Sequence, residues 1–334
     1  MFDWKWYLKD TQQDKSVKVF SCFSCGGGST MGYKRAGFEV LGNVEIDNAM
    51  NKLYVKNHHP KYNYNMDLRD FNKLDNLSDE LYRLDILDGS PPCSTFSLSG
   101  HREDAWGVKK KFREGQEKQT LDDLFLVWLD TVEKLKPRIA VAENVVGLIS
   151  GNAKGYVNLI INRFHELAYD VQLFRLNSAY MDTPQARERI FFIANNQHFP
   201  KLRLNFNHRL IPFGEVRSST GVPVTGATVS RYLKHMKPHD FSVGDITERL
   251  YGKRRCFNHR INHDNRVANT VTSGGGNLRA YDKMWLSDED IINVSTFPQD
   301  YDFDGQRVQY VCGMSVPPNM MANIATEIWR QWLA

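Results

Sequence analysis

Up to about residue 195, short apolar runs alternate with stretches of helical period. "VKVFSCFS" (17–24), "FEVLGNVEI" (38–46), "LDILDG" (84–89) and "RIAVAEN" (138–144) each predict a strand, and residues 29–36 predict a helix between the first two. Leu121, Leu124, Phe125, Trp128, Val132 and Leu135 repeat at helical spacing between the last two strands. Tyr156, Leu159, Ile160, Phe164 and Leu167 do so again after them. Such alternation predicts a parallel sheet with crossover helices. "DVQLFRL" and "RIFFIA" follow with no helical period between them, which suits a hairpin closing one sheet edge.

From 196 to about 280 the periodicity fades and breakers multiply: Pro200, Pro212, Pro223, Pro238, then Gly274 to Gly276. A second, smaller domain of loops and short strands is expected there. "LSDEDIINVSTFP" then reads as helical until Pro298, and "VPPNMMANIATEIWRQWL" as a final amphipathic helix with prolines at its start. The expected organisation is 1–195, 196–280, and a segment 281–334 returning to the first domain.

Composition sharpens this picture only when it is located. The net charge of +4 over 334 residues is small, but residues 196–266 hold 13 Lys and Arg against 5 Asp and Glu, together with six of the ten histidines. A basic block of this kind implies a polyanionic partner. Hydrophobic content of 41% with 25% charged residues fits a globular protein, and no apolar run approaches a membrane span. The N-terminus "MFDWKWYLKDTQQDKS" has no apolar core of a secretion signal, so a cytoplasmic protein is expected. Five cysteines, 22, 25, 93, 256 and 312, are too few and odd in number for a disulfide framework.

"FSCGGGSTMGYKRAGFEVLGNVEID" sets three glycines between a strand and a helix, with Glu45 on the next strand about 20 positions on. Glycines let backbone approach a ligand, the helix N-terminus favours an anionic group, and a carboxylate at the second strand's end can accept both ribose hydroxyls. The spacing is neither G-x-G-x-x-G nor a Walker loop, and no lysine follows. An adenosyl ligand without phosphates fits better than a dinucleotide or triphosphate; a plain tight turn is the alternative.

"DGSPPCSTFS" presents Cys93 behind Pro91 and Pro92 after a strand, and "AVAENVVGL" places Glu143 at the end of another. In a doubly wound sheet both open on the same carboxyl edge as the glycine loop. A thiolate and a carboxylic acid facing one pocket are a nucleophile and a proton donor. Taken singly, each could be a buried thiol or a helix-capping carboxylate. "TPQARERIFFIA" adds Arg187 and Arg189, whose alternate spacing would send two guanidinium groups to one side, where they could grip a base oxygen or a phosphate. Cys22 and Cys25 form C-x-x-C, but Cys22 falls inside a strand and no second pair exists. His235-x3-His239 and Cys256-x2-His259-x3-His263 have spacings that could bind zinc; solvated or DNA-facing histidines are the commoner outcome, and no metal is expected.

In this order, "FSCGGG", "VEID", "GSPPC", "ENV", "QARER" and "GMSVPP" resemble the cytosine-C5 DNA methyltransferases of bacteria and phages, which use S-adenosylmethionine. The resemblance covers about 17–195 and 280–330. It implies an α/β fold: a doubly wound, Rossmann-like methyltransferase sheet with a smaller, loop-rich target recognition domain. By that resemblance Cys93 is the thiolate that adds to C6 of cytosine, Glu143 contacts N3 and the exocyclic amine, Arg189 holds O2 and Arg187 supports the site. Asn144 would orient the cysteine loop. The cofactor pocket is expected at Phe23, Ser24, Gly26, Gly27, Gly28, Glu45, Ile46, Asp67, Leu68, Pro92, Leu124, Ser315 and Val316.

The same resemblance implies double-stranded DNA as partner, with the target base swung out of the stack. Contacts are expected at Ser97, Ser99, Lys109, Lys110 and Arg113 in the loop after Cys93, at Arg254 and Arg255 in the basic block, and at Thr270 in the recognition domain 196–280 that contains it. A monomer is implied, associated with the nucleoid through DNA and without an obligatory protein partner, although a cognate restriction endonuclease could belong to the same system.

This chain departs from the family pattern at Cys25, where a glycine is usual, at Ile46 in place of an aromatic, at Met314 in place of an asparagine, and at Glu289-Asp290 in place of Arg-Glu. A tRNA cytosine methyltransferase and a silent DNA-binding scaffold are the competing readings. "PPCSTFS" with a sizeable basic domain favours DNA over tRNA, and the intact Cys93, Glu143 and Arg189 weigh against a scaffold.

Overall fold

The computed structural model describes residues 1–92, 123–150, 154–256 and 258–334. Two compact units are present. One comprises Thr11–Leu176, Glu188–Asn205 and Ala322–Ala334, the other Met1–Asp10, Asn177–Arg187 and Phe206–Met321.

The first unit is built on a seven-stranded sheet. In chain order its strands are β1 (Lys18–Cys22), β2 (Glu39–Val44), β3 (Tyr62–Tyr64), β4 (Ile86–Gly89), β5 (Ile139–Val145), β6 (Asp170–Asn177) and, after a two-residue β7 (Gln185–Ala186), β8 (Glu188–Asn195). Their spatial order is β3-β2-β1-β4-β5-β8-β6. The β1–β2, β2–β3, β1–β4 and β4–β5 pairs are parallel, and β8 runs antiparallel to β5. Order reverses beside β1, so the crevice at the carboxyl ends of β1 and β4 is the switch point where open α/β sheets bind ligands.

Helices α1 (Gly28–Arg35), α2 (Asn48–His58), α3 (Leu68–Phe71), α4 (Leu124–Leu135) and α5 (Lys154–Glu166) belong to this unit. Of the apolar stripe expected on α4, Leu124, Phe125, Trp128, Val132 and Leu135 are buried, Leu121 lies outside the described residues, and Leu129 is buried beside them. Trp128 meets Phe125 and Phe164 edge to face at 5.8 and 6.2 Å, and Phe125 meets Phe192 at 5.2 Å. A Cβ on Gly89 would lie 2.3 Å from Trp128 Nε1, so the end of β4 has no room for a side chain there. α2 begins at Asp47, whose carboxylate accepts from the amides of Ala49 and Met50.

The second unit contains α6 (Phe213–Val216), α7 (Ala227–Leu233), α8 (Val243–Tyr251), α9 (Asp288–Val294), α10 (Val308–Met314) and the start of α11 (Pro318–Ile328). Among them run β9 (Arg260–Asn262), β10 (Ala268–Asn269) and β11 (Asn277–Arg279), with β9–β11 and β7–β10 paired in parallel. The two helices α7 and α8 stand where the pattern suggested only loops and short strands. α8 carries a capping box between Ser242 and Asp245, and its buried residues Val243, Gly244, Ile246 and Thr247 fall at helical spacing, a stripe of little more than one turn with only two large apolar side chains. Leu233, Val243, Ile246, Ile261 and Leu278 form its small core.

Asp290 organises the entry to α9. It accepts from the amides of Ser218 and Ser287, and with Asp282 it flanks the fully buried Arg279 guanidinium. This gives the departure at Glu289-Asp290 a structural use. Among the described residues no helix is long and apolar enough to cross a membrane.

Candidate active site

The loop from β1 to α1 takes left-handed backbone at Phe23 (φ 55°), Cys25 (φ 46°) and Gly27 (φ 82°). Glycine serves this geometry at Gly27 for a second reason: a Cβ there would stand 2.1 Å from His58 Nε2. Cys25, in a conformation that favours glycine, is held by its amide donating to Glu45 Oε2 at 2.8 Å. Glu45 Oε1 accepts from the Asp47 amide at 2.9 Å. Burial pushes the Glu45 carboxyl up, while the amides of Asp47 and Cys25 pull it back. Gly27 N donates to Ser24 O at 2.8 Å, and Asn43 Nδ2 to Ser24 Oγ at 3.0 Å, so the protein's own hydrogen bonds hold the loop.

Phe23, Val44, Ile46, Met66, Asp67, Leu68 and Leu124 line one small cavity beside this loop. Five of them were singled out from sequence. Val44 and Met66, which directly precede Glu45 and Asp67 in the chain, were not. Asp67 caps α3, accepting from the Arg69 amide at 2.8 Å, and pairs with the Arg69 guanidinium at 3.2 Å; Arg69 also reaches Asp123 at 2.7 Å. An apolar slot bordered by the Asp67 carboxylate, with Glu45 between two of its wall residues, offers the walls and acceptors that suit an adenosyl group: a flat ring, an exocyclic amine and ribose hydroxyls. S-adenosylmethionine fits these residues.

Cys93 lies outside the described residues, as do Ser97, Ser99, Lys109, Lys110 and Arg113 of the following loop. What leads to it is described. Cys22 pairs with Gly89 across β1 and β4, Ser90 N donates to Cys22 O at 3.4 Å, and Asn144 Nδ2 donates to Pro91 O at 3.1 Å. Asn144 Oδ1 in turn accepts from the Val145 amide. Pro91 and Pro92 are thereby anchored to the end of β5.

Glu143 sits near that same end. Its Oε1 lies 2.7 Å from Arg189 Nε, with side chains 11% and 16% exposed. Val145 is the register partner of Arg189 across the antiparallel pair, which brings the guanidinium alongside. Such a charge-assisted pair at a partly buried edge can bind a polar ring edge while still reaching water. One further carboxyl, read from sequence only as part of a strand, lies behind it. Asp88 is 1% exposed and accepts from Ser21 Oγ at 2.8 Å and Tyr33 OH at 3.3 Å. Burial pushes it up to about 7, Ser21 and Tyr33 hold it down, and the charge of Glu143 adds to the rise.

In the second unit Arg187 is buried, its two terminal nitrogens donating to Val271 O and Gly313 O at 2.9 Å each. Gln185 Oε1 accepts from the Val271 amide, and Thr270 Oγ1 donates to Ala186 O. Arg187 and Thr270 thus meet backbone. Ser315 and Val316 are buried, and Ser315 Oγ donates to Val311 O. Arg254 is engaged by Asp245 and Glu248, whereas Arg255 is exposed. His263 Nε2 lies 2.7 Å from Asp240 O and His259 stacks edge-on against Trp285 at 5.2 Å. Among the described residues no three His, Cys, Asp or Glu side chains converge as a metal site.

Type II methyltransferase M.FnuDI of Fusobacterium nucleatum is 32% identical over 178 residues, 53% of this chain and 46% of that protein. Type II methyltransferase M1.HphI of Haemophilus parahaemolyticus is 25% identical over 345 residues, 94% of this chain and 87% of that protein. The match thus spans about half of the first relative and most of the second. A crystal structure of a DNA modification methyltransferase encoded within an E. coli prophage superposes with a TM-score of 0.67 at 17% identity, covering 95% of this chain and 99% of that one. The C-5 cytosine-specific DNA methylase pattern matches residues 17–330, and the chain belongs to that family.

Proposed function

We propose that this chain transfers a methyl group from S-adenosylmethionine to C5 of a cytosine swung out of a DNA duplex. The observation that carries this reading is the Glu143–Arg189 pair, set at the carboxyl edge of the sheet that also holds the glycine loop and the anchored Pro91-Pro92 turn. C5 of cytosine is a poor nucleophile, and addition of the Cys93 thiolate at C6 converts the ring to an enamine. Glu143 favours that addition by meeting N3 and the exocyclic amine, and Arg189 holds O2. The cofactor, when bound, supplies the electrophilic methyl group. Loss of the C5 proton then expels Cys93, with no metal in the cycle.

Phe23, Ile46, Leu68 and Leu124 would enclose the adenine, with Asp67 accepting from its amine and Glu45 from the ribose. Ser24, Gly26, Gly27, Gly28 and Pro92 belong to the pocket in this reading, and the family resemblance adds Ser315 and Val316 as cofactor contacts. The basic segment 196–280 reads the DNA, with Arg254, Arg255 and Thr270 near it, and the Cys93 loop closes over the duplex through Ser97, Ser99, Lys109, Lys110 and Arg113. Residues 1–195 and 281–334 carry the chemistry. The enzyme acts as a monomer in the cytoplasm on nucleoid DNA, beside a restriction endonuclease or as phage protection.

The test is incubation of the purified protein with labelled S-adenosylmethionine and mixed DNA, followed by conversion sequencing. Methyl groups confined to cytosines in one short motif are expected. Label in tRNA alone overturns the DNA reading, and label in neither overturns the enzyme.

A further inference from the structure

The peptide that joins Gly26 to Gly27 is fastened at both of its polar atoms. Its N–H donates to Ser24 O at 2.8 Å, and its carbonyl oxygen lies 3.4 Å from His58 Nε2. His58 is 5% exposed, and its ring stands so close behind the loop that a Cβ on Gly27 would meet Nε2 at 2.1 Å. Burial, with the charge of Lys34 adding, holds the imidazole well below its ordinary pKa and therefore neutral. A carbonyl oxygen only accepts, so the one ring proton sits on Nε2 and is donated to Gly26 O.

His58 closes a row of three side chains on one face of α2. Asn51, Tyr54 and His58 recur at three- and four-residue spacing, and all three are buried. Asn51 Oδ1 accepts from Asn43 Nδ2 at 3.2 Å, the same amide that donates to Ser24 Oγ. Tyr54 OH lies 2.8 Å from Thr30 Oγ1 in the first turn of α1, and the Tyr54 ring lies 4.6 Å from the His58 ring. Lys34 Nζ donates to His58 O at 3.0 Å, which ties the end of α2 to α1. The row is thus directed at the β1–α1 loop and the helix that follows it.

A loop with left-handed backbone at Phe23, Cys25 and Gly27 keeps that shape only where its surroundings impose it. On the reading given above, Gly26 and Gly27 contact the cofactor. A loop already fixed in the receiving shape leaves the ligand no backbone to order, which favours binding without altering the chemical step. We propose that His58 is a positioning residue of the cofactor site: its Nε2–H holds the Gly26 carbonyl and so keeps the glycine loop in the shape that receives S-adenosylmethionine. The inference rests on that reading of the loop and adds to it a side chain that acts through the backbone.

Calorimetric titration of the full chain with S-adenosylmethionine and with S-adenosylhomocysteine tests this, together with turnover on mixed DNA at saturating cofactor. His58→Leu fills much of the same space without a donor, and His58→Gln restores an amide donor at a similar reach. His58→Leu should weaken both ligands by about five- to ten-fold, the range of one lost hydrogen bond, with saturated turnover within about two-fold of wild type. His58→Gln should bind both ligands within about two-fold of wild type. Wild-type affinity in His58→Leu overturns the proposal. So does a His58→Gln that binds as weakly as His58→Leu, because the ring's bulk alone is then at work. A turnover defect with affinity intact overturns it as well. Should His58→Leu fail to fold, His58→Gln decides alone: affinity within about two-fold supports the donor role, and a larger loss overturns it. A wild type that binds neither ligand overturns the methyltransferase reading and this proposal with it, whereas the variant outcomes leave that reading standing.

Discussion

Glu143 and Arg189 meet at 2.7 Å across β5 and β8, and that contact exists because the two strands run antiparallel. A parallel β8 would present its side chains in a different register. The strand that breaks the parallel order of the sheet is therefore the one that delivers the guanidinium to the acid.

Glu143→Gln keeps the shape and removes the charge. Methyl transfer to DNA should fall by about 10²–10⁴-fold, in the range of a lost general acid, while binding of S-adenosylmethionine is unchanged. Arg189→Lys should also lose activity, because an ammonium cannot reproduce the planar fork. Single-turnover rates with cofactor titrations check both; a cofactor defect in either variant would place the pair in the wrong half of the site.

Asn144→Ala removes the donor to Pro91 O and leaves that carbonyl without its partner from β5. The expected cost is about 1 kcal/mol in urea unfolding. Activity should fall further than stability accounts for, since the turn that precedes Cys93 loses its anchor. A rate equal to wild type would show that Asn144 does not position the cysteine loop.

Cys25 adopts φ 46°, a conformation in which a Cβ is strained, at the position where the family resemblance led us to expect glycine. Cys25→Gly relieves the strain and keeps the amide bonded to Glu45. Stability should rise by roughly 1 kcal/mol, or about 1–2 °C in Tm for a chain of this size. Calorimetry reads the change, and a lower Tm would mean that the thiol's own packing outweighs the strain.

The parts legible in the sequence are those with long, repeated signals. β1, β2, β4 and β5 show as apolar runs because parallel strands are buried on both faces, and α4 shows because six of its residues share one stripe. β3 is three residues at an edge, and α7 and α8 are short helices whose buried stripes span little more than a turn among many breakers. The site divides the same way. Glu45, Asp67 and Glu143 carry charge next to recognisable turns. Val44 and Met66 shape the cavity without chemistry, and Asp88 matters through Ser21 and Tyr33, 67 and 55 residues away, a pairing no local pattern records.

Asp88 has a consequence for folding that can be measured without any ligand. An aspartate in the unfolded chain titrates near pH 3.9, whereas in the folded chain Asp88 holds its proton up to about 7. Below about pH 4 the carboxyl is neutral in both states and costs nothing. As pH rises from there the unfolded chain ionises first, so stability falls until pH 7, and above that the loss is constant. At about 1.4 kcal/mol per pH unit the full loss is a few kcal/mol, an upper figure for so buried a group. Asp88→Asn lacks this term. Urea midpoints should therefore match wild type near pH 4, exceed it increasingly through pH 6, and remain higher by a constant margin at pH 8. A wild type that is the more stable of the two at pH 8 would mean that the carboxylate is already matched by a cation of the protein.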